Sequence, residues 1–257
     1  MDFIKTEIKD DYALVHMDRG KVNALNHQFV EEIRTTFKTL EADDKVRGVI
    51  LLGKPHYFSA GLDVIELYEY DKEKMDAFFI SFGSMHIELA KFSKPFICGV
   101  TGHSPAGGCV IAVAADYRIM AEGEKYKIGL NEVAVNIQIT QNLVNAYAFW
   151  LGHSKANEFI LEGKLLNGLE GHRTGLVNEL CPVDQVQEVA ERKMKKYLWA
   201  DDEILKNTKA RIRHAWLSTI TDDAEKDLEM ARKIWWRDDI RMKMGFFVES
   251  LKSKNAK

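Results

Sequence analysis

The chain has 257 residues, of which 46% are hydrophobic and 29% charged, and its formal net charge is -3. That length suits one compact α/β unit, and the hydrophobic share is ample for a large core without the bias of a disordered chain. Near-balanced, interspersed charges leave no electrostatic footprint for nucleic acid or an anionic membrane, and no run approaches the roughly 20 apolar residues that span a bilayer.

Cys98, Cys109 and Cys181 are odd in number, widely spaced and set among apolar residues. They read as buried thiols in a reducing compartment and not as disulfides or metal ligands. The start, MDFIKTEIKDDYALVHMD, alternates apolar and charged residues and lacks the apolar stretch of a signal peptide, and SKNAK at the end matches no retention signal. A cytoplasmic protein is expected.

In chain order, residues 2–18 predict two strands joined by a turn at Lys9-Asp10-Asp11. Asn26 is placed to cap a helix that carries Phe29, Ile33, Phe37 and Leu40 on one face. VRGVILLG (46–53) predicts a strand covered on both faces, completing a βαβ opening. Asp63 to about Phe92 predicts a helix, because Phe78, Phe82, Met85 and Leu89 recur at spacings of three and four.

PFICGVTG (95–102) predicts another apolar strand, and GGCVIAVAA a helix with no polar face, hence a buried one. DYRIMAE and KYKIGL are strand candidates, followed by one or two helices through residue 162. From Val183 the chain turns charged and helical in pattern, with Trp216, Trp235, Trp236, Phe246 and Phe247. These aromatics imply packing either against the core or against a neighbouring subunit.

Two loops carry the chemical signal: HYFSAGLDVIEL (56–67) and TGHSPAGGCVIAV (101–113), each after an apolar strand. In each, glycine precedes a helix-starting sequence, where first-turn amides lack intrahelical partners and can point at an anion. Neither fits a P-loop or a dinucleotide fingerprint. Two such loops on adjacent strands suggest one shared site with two backbone donors.

FSAGLD, SPAGGC, DYRI, IGLNE and GLVNELCP together resemble the crotonase (enoyl-CoA hydratase/isomerase) superfamily over essentially the whole chain. The resemblance implies an α/β fold, a spiral of ββα units with a helical C-terminal trimerisation region. It divides the chain into a core over 1–195 for CoA binding and catalysis and an oligomerisation region over 196–257. It implies oxyanion-hole amides at Leu62 and Gly107 and a catalytic carboxylate at Glu132. Substrate contacts are implied at Ala60, Gly61, Asp63, Gly108 and Asn131. No metal and no separate cofactor are expected, CoA being part of the acyl-CoA substrate, and the expected assembly is a homotrimer or a dimer of trimers.

Hydratases of this superfamily carry a second glutamate where this chain has Val110. Hydration asks two carboxylates to share the work of activating water and delivering a proton, whereas moving a double bond asks for one base. The motifs are closest to the mitochondrial-type Δ3,Δ2-enoyl-CoA isomerase subgroup, so an isomerase is expected. The alternatives are a hydratase, another lyase or a thioesterase on the same scaffold, and an idle oligomer that binds CoA or RNA. His56 and His103 flank the loops without the elbow of a Ser-His enzyme, and Cys109 reads as pocket wall. Asn136 borders the glutamate, and Lys243, Lys252 and Lys254 are placed to reach a CoA phosphate. Tyr68, Tyr70, Phe79 and Trp150 are candidates to bound the acyl tail.

Overall fold

The chain repeats strand, strand, helix; both strands of the first turn and the first strands of the next three join one sheet, and the short second strands of those three form another. The structure is a computed structural model describing residues 1–220 and 224–255. The first turn holds β1 (Ile4–Lys9), β2 (Tyr12–Met17) and α1 (His27–Ala42). The second holds β3 (Gly48–Leu52), β4 (His56–Tyr57), α2 (Val64–Tyr68) and α3 (Lys72–Lys91). The third is β5 (Phe96–Val100), β6 (Gly102–Pro105) and α4 (Gly107–Ala114). The fourth is β7 (Tyr117–Ala121), β8 (Ile128–Gly129), a short 3-10 turn at Val133–Val135 and α5 (Gln141–Glu162). After α6 (Gly168–Thr174) and β9 (Glu179–Cys181) come the helices α7 (Val186–Leu198), α8 (Asp202–Leu217), α9 (Ala224–Trp235) and α10 (Asp238–Asn255).

The larger sheet has the order β1-β2-β3-β5-β7-β9 and the smaller the order β4-β6-β8. Between strands of the described residues only the β1–β2 hairpin is antiparallel and the other strand pairings are parallel. All five residues of β3 and of β5 are buried, as expected for strands covered on both faces. Asn26 caps α1 by accepting from Phe29 N at 3.0 Å, and Phe29, Ile33, Phe37 and Leu40 are buried along its inner face. All eight residues of α4 are buried.

Two expectations are corrected. The helix read over 63–92 is two helices: α2 ends at Tyr68, and α3 starts afresh where the Asp71 carboxylate accepts from Lys74 N at 2.8 Å. The apolar periodicity continues across the break, which is why it read as one. KYKIGL forms strand only at Ile128–Gly129, because the smaller sheet is built from two- to four-residue strands. In α5, Gly152 takes φ +73° and breaks the helical backbone, in keeping with one helix or two in that stretch.

The C-terminal third packs on the protein's own core. Trp216 and Trp235 are 3% exposed, and the DYRI segment anchors α8. Asp116 accepts from Phe96 N at 2.8 Å and pairs with Lys209 and Arg213, each at 2.7 Å. Arg118 is fully buried, donates to the Leu176 and Ala115 carbonyls, and lies 3.8 Å from the ring centroid of Trp150. Burial pushes the Lys209 ammonium down to about 8. Replacing Asp116 by Asn strands two buried cations, and a loss of roughly 3–5 kcal/mol is expected in urea unfolding at neutral pH; an unchanged midpoint would show that the pair is not holding α8.

Candidate active site

The two glycine loops meet at the inner edge of the smaller sheet. Parallel pairing of β4 with β6 aligns His56 with Gly102 and Tyr57 with His103. The first loop is then held from both sides: Phe58 N donates to His103 O at 3.0 Å, Ala60 N to Val22 O at 2.9 Å. Fully buried Asn23 donates to the carbonyls of Met17 and Phe58, and Ser59 Oγ donates to Asn23 O. Gly61 takes φ +85°, a conformation that favours glycine. A Cβ there would meet Pro105 O at 3.1 Å and the Ala106 Cβ at 3.2 Å.

The second loop turns through Ala106, at φ +44° and ψ -117°. This left-handed position is strained for alanine and is pinned by Ala106 N donating to Gly129 O at 2.9 Å. It sends the chain directly into α4 at Gly107. A Cβ on Gly107 would lie 3.4 Å from Gly61 Cα, and one on Gly108 would lie 2.9 Å from Ser59 O. The glycines are therefore what allows the loops to touch.

Leu25 N donates to Gly61 O at 2.8 Å and Asp63 N to Leu25 O at 2.9 Å. This ladder passes over the intervening residue and leaves the Leu62 amide unpaired. The Gly107 amide opens α4, where no intrahelical acceptor exists. Among the described residues neither amide has a hydrogen-bond partner.

Beside them lies a cavity of about 930 Å³. Ala60, Leu62, Asp63, Asn131 and Glu132 line it, while Gly61, Gly107 and Gly108 form the packing behind the lining. Glu132 arrives because β8 pairs with β6, matching Pro105 to Gly129. Gly129, at φ +153°, has no room for a Cβ, which would lie 2.5 Å from Lys164 O. Three residues on, Glu132 is 7% exposed and its Oε2 has no hydrogen-bond partner among the described residues. Desolvation pushes its carboxyl up to about 7. Asn131 Oδ1 is likewise buried and unpaired. Val110, one turn into α4, contributes a fully buried apolar wall.

Asp63 serves the loop more than the cavity. Its carboxylate accepts from Glu66 N to cap α2 and from Arg19 Nη1 at 2.7 Å. Arg19 Nη2 reaches Glu66 Oε2 at 2.6 Å, and Nη1 also donates to Ala24 O. Asn26 and Tyr70 donate to the same Glu66 carboxylate. These bonds brace both ends of the Leu62 turn. The Arg19 anchor was missed in the sequence, where a charged residue in a turn carries no signal of its partners.

The other candidates sit apart from this centre. His56 is exposed and bonded through Nδ1 to the Tyr126 hydroxyl, and the His103 ring packs tilted against Tyr57. Cys109 is fully buried behind the cavity, its thiol pushed well up by desolvation. Asn136 is exposed in a left-handed turn, and Lys243 is exposed. Lys252 pairs with Glu249, and the Lys254 side chain lies outside the described residues. Of the four tail candidates, Phe79 lines the cavity; Trp150 donates to Val113 O instead. Phe247 and Leu251 of α10 and Ala231 of α9 close the far wall.

A spiral of ββα turns closed by a helical C-terminal third is the crotonase fold. The human mitochondrial Δ3,Δ2-enoyl-CoA isomerase structure superposes with a TM-score of 0.93 at 28% identity, covering 98% of each chain. Rat mitochondrial enoyl-CoA delta isomerase 1 is 32% identical over 98% of this chain and 88% of its own length. Orangutan (Pongo abelii) mitochondrial enoyl-CoA hydratase is 25% identical over 94% of this chain and 82% of its own. The enoyl-CoA hydratase/isomerase family model matches residues 7–256, and the chain belongs to that family.

The raised carboxyl of Glu132 has a consequence for stability. A group protonated more tightly in the folded state contributes stability that is complete below its unfolded value, near 4.5, and lost as pH rises through about 7. Glu132→Gln is therefore expected to gain on wild type by up to roughly 3 kcal/mol between pH 4 and pH 8. Urea unfolding at both pH values reads this directly; a pH-independent difference would mean that the carboxylate is not desolvated.

Proposed function

We propose that the protein is an acyl-CoA isomerase that moves a 3-enoyl-CoA double bond to the 2-trans position with a single carboxylate base. The observation that carries the reading is Glu132: a buried carboxylate whose Oε2 has no partner among the described residues, at the wall of the cavity that also takes the Leu62 turn, with apolar Val110 nearby. The amides of Leu62 and Gly107 donate to the thioester oxygen. Ala60, Gly61, Asp63, Gly108 and Asn131 shape the channel for the acyl-CoA.

Glu132 takes the proton from C2, and the electron pair left behind delocalises through C1 onto the oxygen that the two amides hold. Donors aimed at charge that develops only in the transition state lower the barrier without tightening ground-state binding. The dienolate is then protonated at C4 by the same carboxyl, and the double bond settles between C2 and C3. A carboxyl near 7 suits this exchange, because it accepts and returns a proton at little cost. Val110 keeps water from C3, and hydration is the competing reaction. A hydratase is the second reading, favoured by the hydratase relative; it needs a group other than Val110 to activate water. No metal or redox group enters these steps.

The homotrimer, or dimer of trimers, belongs to the same proposal, supported by Trp199, Ile204 and Ile212, apolar yet largely exposed around α8. So does the cytoplasmic location, in contrast to relatives that are mitochondrial by name. Among the described residues no helix is long and apolar enough to cross a membrane.

Parallel assays with 3-hexenoyl-CoA and crotonyl-CoA test the chemistry. Isomerisation is expected to outrun hydration, and Glu132→Gln to lower it by roughly 100- to 10,000-fold. Comparable hydration, or isomerisation indifferent to Glu132, would overturn the one-base reading. In wild type, kcat/KM is expected to rise with pH through about 7 and then level off, since the carboxylate is the active form. Gly61→Val, which wedges the loops apart at a left-handed backbone position, is expected to cost roughly 100- to 1,000-fold in kcat with a smaller change in KM; a change in KM alone would place the loop in binding and not in chemistry.

A further inference from the structure

Two acidic residues follow the Leu62 amide at once. Asp63 is its next neighbour in the chain and lines the same cavity, and Glu66 lies in the first turn of α2. An oxygen that gains negative charge is disfavoured by a carboxylate nearby, and the more so where water is scarce. Acid at these positions is therefore the opposite of what an oxyanion site asks of its surroundings. Capping α2 does not require the charge at 63, since asparagine caps a helix as well as aspartate.

Arg19 supplies the opposing charge. Its Nη1 lies 2.7 Å from Asp63 Oδ2 and its Nη2 2.6 Å from Glu66 Oε2. The Arg19 side chain is 16% exposed and that of Asp63 19%, so water screens the pair only in part. Among the described residues Arg19 is the cation paired with either carboxylate; Asn26 and Tyr70 add neutral donors to Glu66. The guanidinium is held in place by its own chain segment. Nη1 also donates to Ala24 O at 2.7 Å, Arg19 N donates to Asn23 Oδ1 at 2.8 Å, and Asn23 N donates back to Arg19 O at 3.0 Å. A rigid fork of donors reaches two carboxylates and a carbonyl together, which the single ammonium of a lysine does not.

We propose that Arg19 is a positioning residue of the oxyanion hole whose charge cancels Asp63 and Glu66, so that the oxygen held by Leu62 and Gly107 gains charge without facing a bare carboxylate. This rests on the acyl-CoA reading of the site and deepens it. Arg19 takes no proton and acts through its two acidic partners. Its effect grows as charge develops on the oxygen, so it belongs to kcat more than to KM.

The test compares wild type with Arg19→Met, with the pair Asp63→Asn and Glu66→Gln, and with all three changes together. One readout is isomerisation of 3-hexenoyl-CoA and of the corresponding pantetheine thioester, which lacks the CoA phosphates. The other is the absorption of bound 2,4-hexadienoyl-CoA, which moves to longer wavelength as its carbonyl is polarised and needs no turnover. Arg19→Met is expected to lower kcat roughly 10- to 100-fold on both thioesters, with KM changed by less than about threefold, and to shrink the spectral shift. The triple variant, neutral at all three positions, is expected to regain most of both. In the Asp63→Asn, Glu66→Gln variant the charge of Arg19 stands unopposed, and the spectral shift is expected to be at least that of wild type; this arm decides the matter where Arg19→Met does not fold. A loss that the triple variant leaves uncorrected makes Arg19 a brace alone and overturns the inference, as does a smaller shift in the variant that keeps Arg19. A rise in KM confined to the CoA ester assigns Arg19 to a CoA phosphate and also overturns it. Failure of wild type to bind or turn over any acyl-CoA overturns the acyl-CoA reading itself, and the inference with it.

Discussion

Two backbone segments must approach so closely that no side chain fits between them, and the rest of the fold serves that approach. Gly61, held at φ +85°, leaves only 3.1 Å between a Cβ and Pro105 O, and Gly108 packs on the Ser59 carbonyl, which a Cβ would approach to 2.9 Å. The smaller sheet sets the register of the segments, buried Asn23 ties the first to the β2 end, and strained Ala106 aims the second into α4. Strain of this kind persists only where its surroundings over-determine it. Here the surroundings are a fully buried helix and a two-residue strand that pairs in parallel with β6.

The protein handles buried charge in two opposite ways. Arg19, Asp63 and Glu66 neutralise one another around the first loop, and Asp116 does the same for Lys209 and Arg213 beneath α8. Such sites are rigid because removing one member leaves another uncompensated. Glu132 receives no such partner, and its burial therefore appears as a raised proton affinity instead of an ion pair. The compensated clusters hold the frame, while the uncompensated carboxylate keeps a raised proton affinity, a pattern found where groups exchange protons.

Much of this was legible in the sequence wherever the signal was local. Asn26 as a cap, the all-apolar β3 and α4, and the glycines at 61 and 107 follow from residue type and spacing, and the structure bears out each of them. The family followed from motifs taken together. What escaped depends on contacts between distant segments or on a single side chain. The break between α2 and α3 turns on Asp71 accepting one amide, which an uninterrupted apolar period conceals. Arg19 shows nothing of Asp63 until the chain folds back.

The far wall of the cavity comes from α9 and α10, long after the residues that hold the two amides and the carboxylate. A ribosome delivers the chain in that order. The corner formed by the two loops and Glu132 is therefore complete in sequence while the far wall of the cavity is still unmade. The same order separates two kinds of inherited change: substitutions in the last third can reshape the far wall of the cavity without touching the two glycine loops or Glu132.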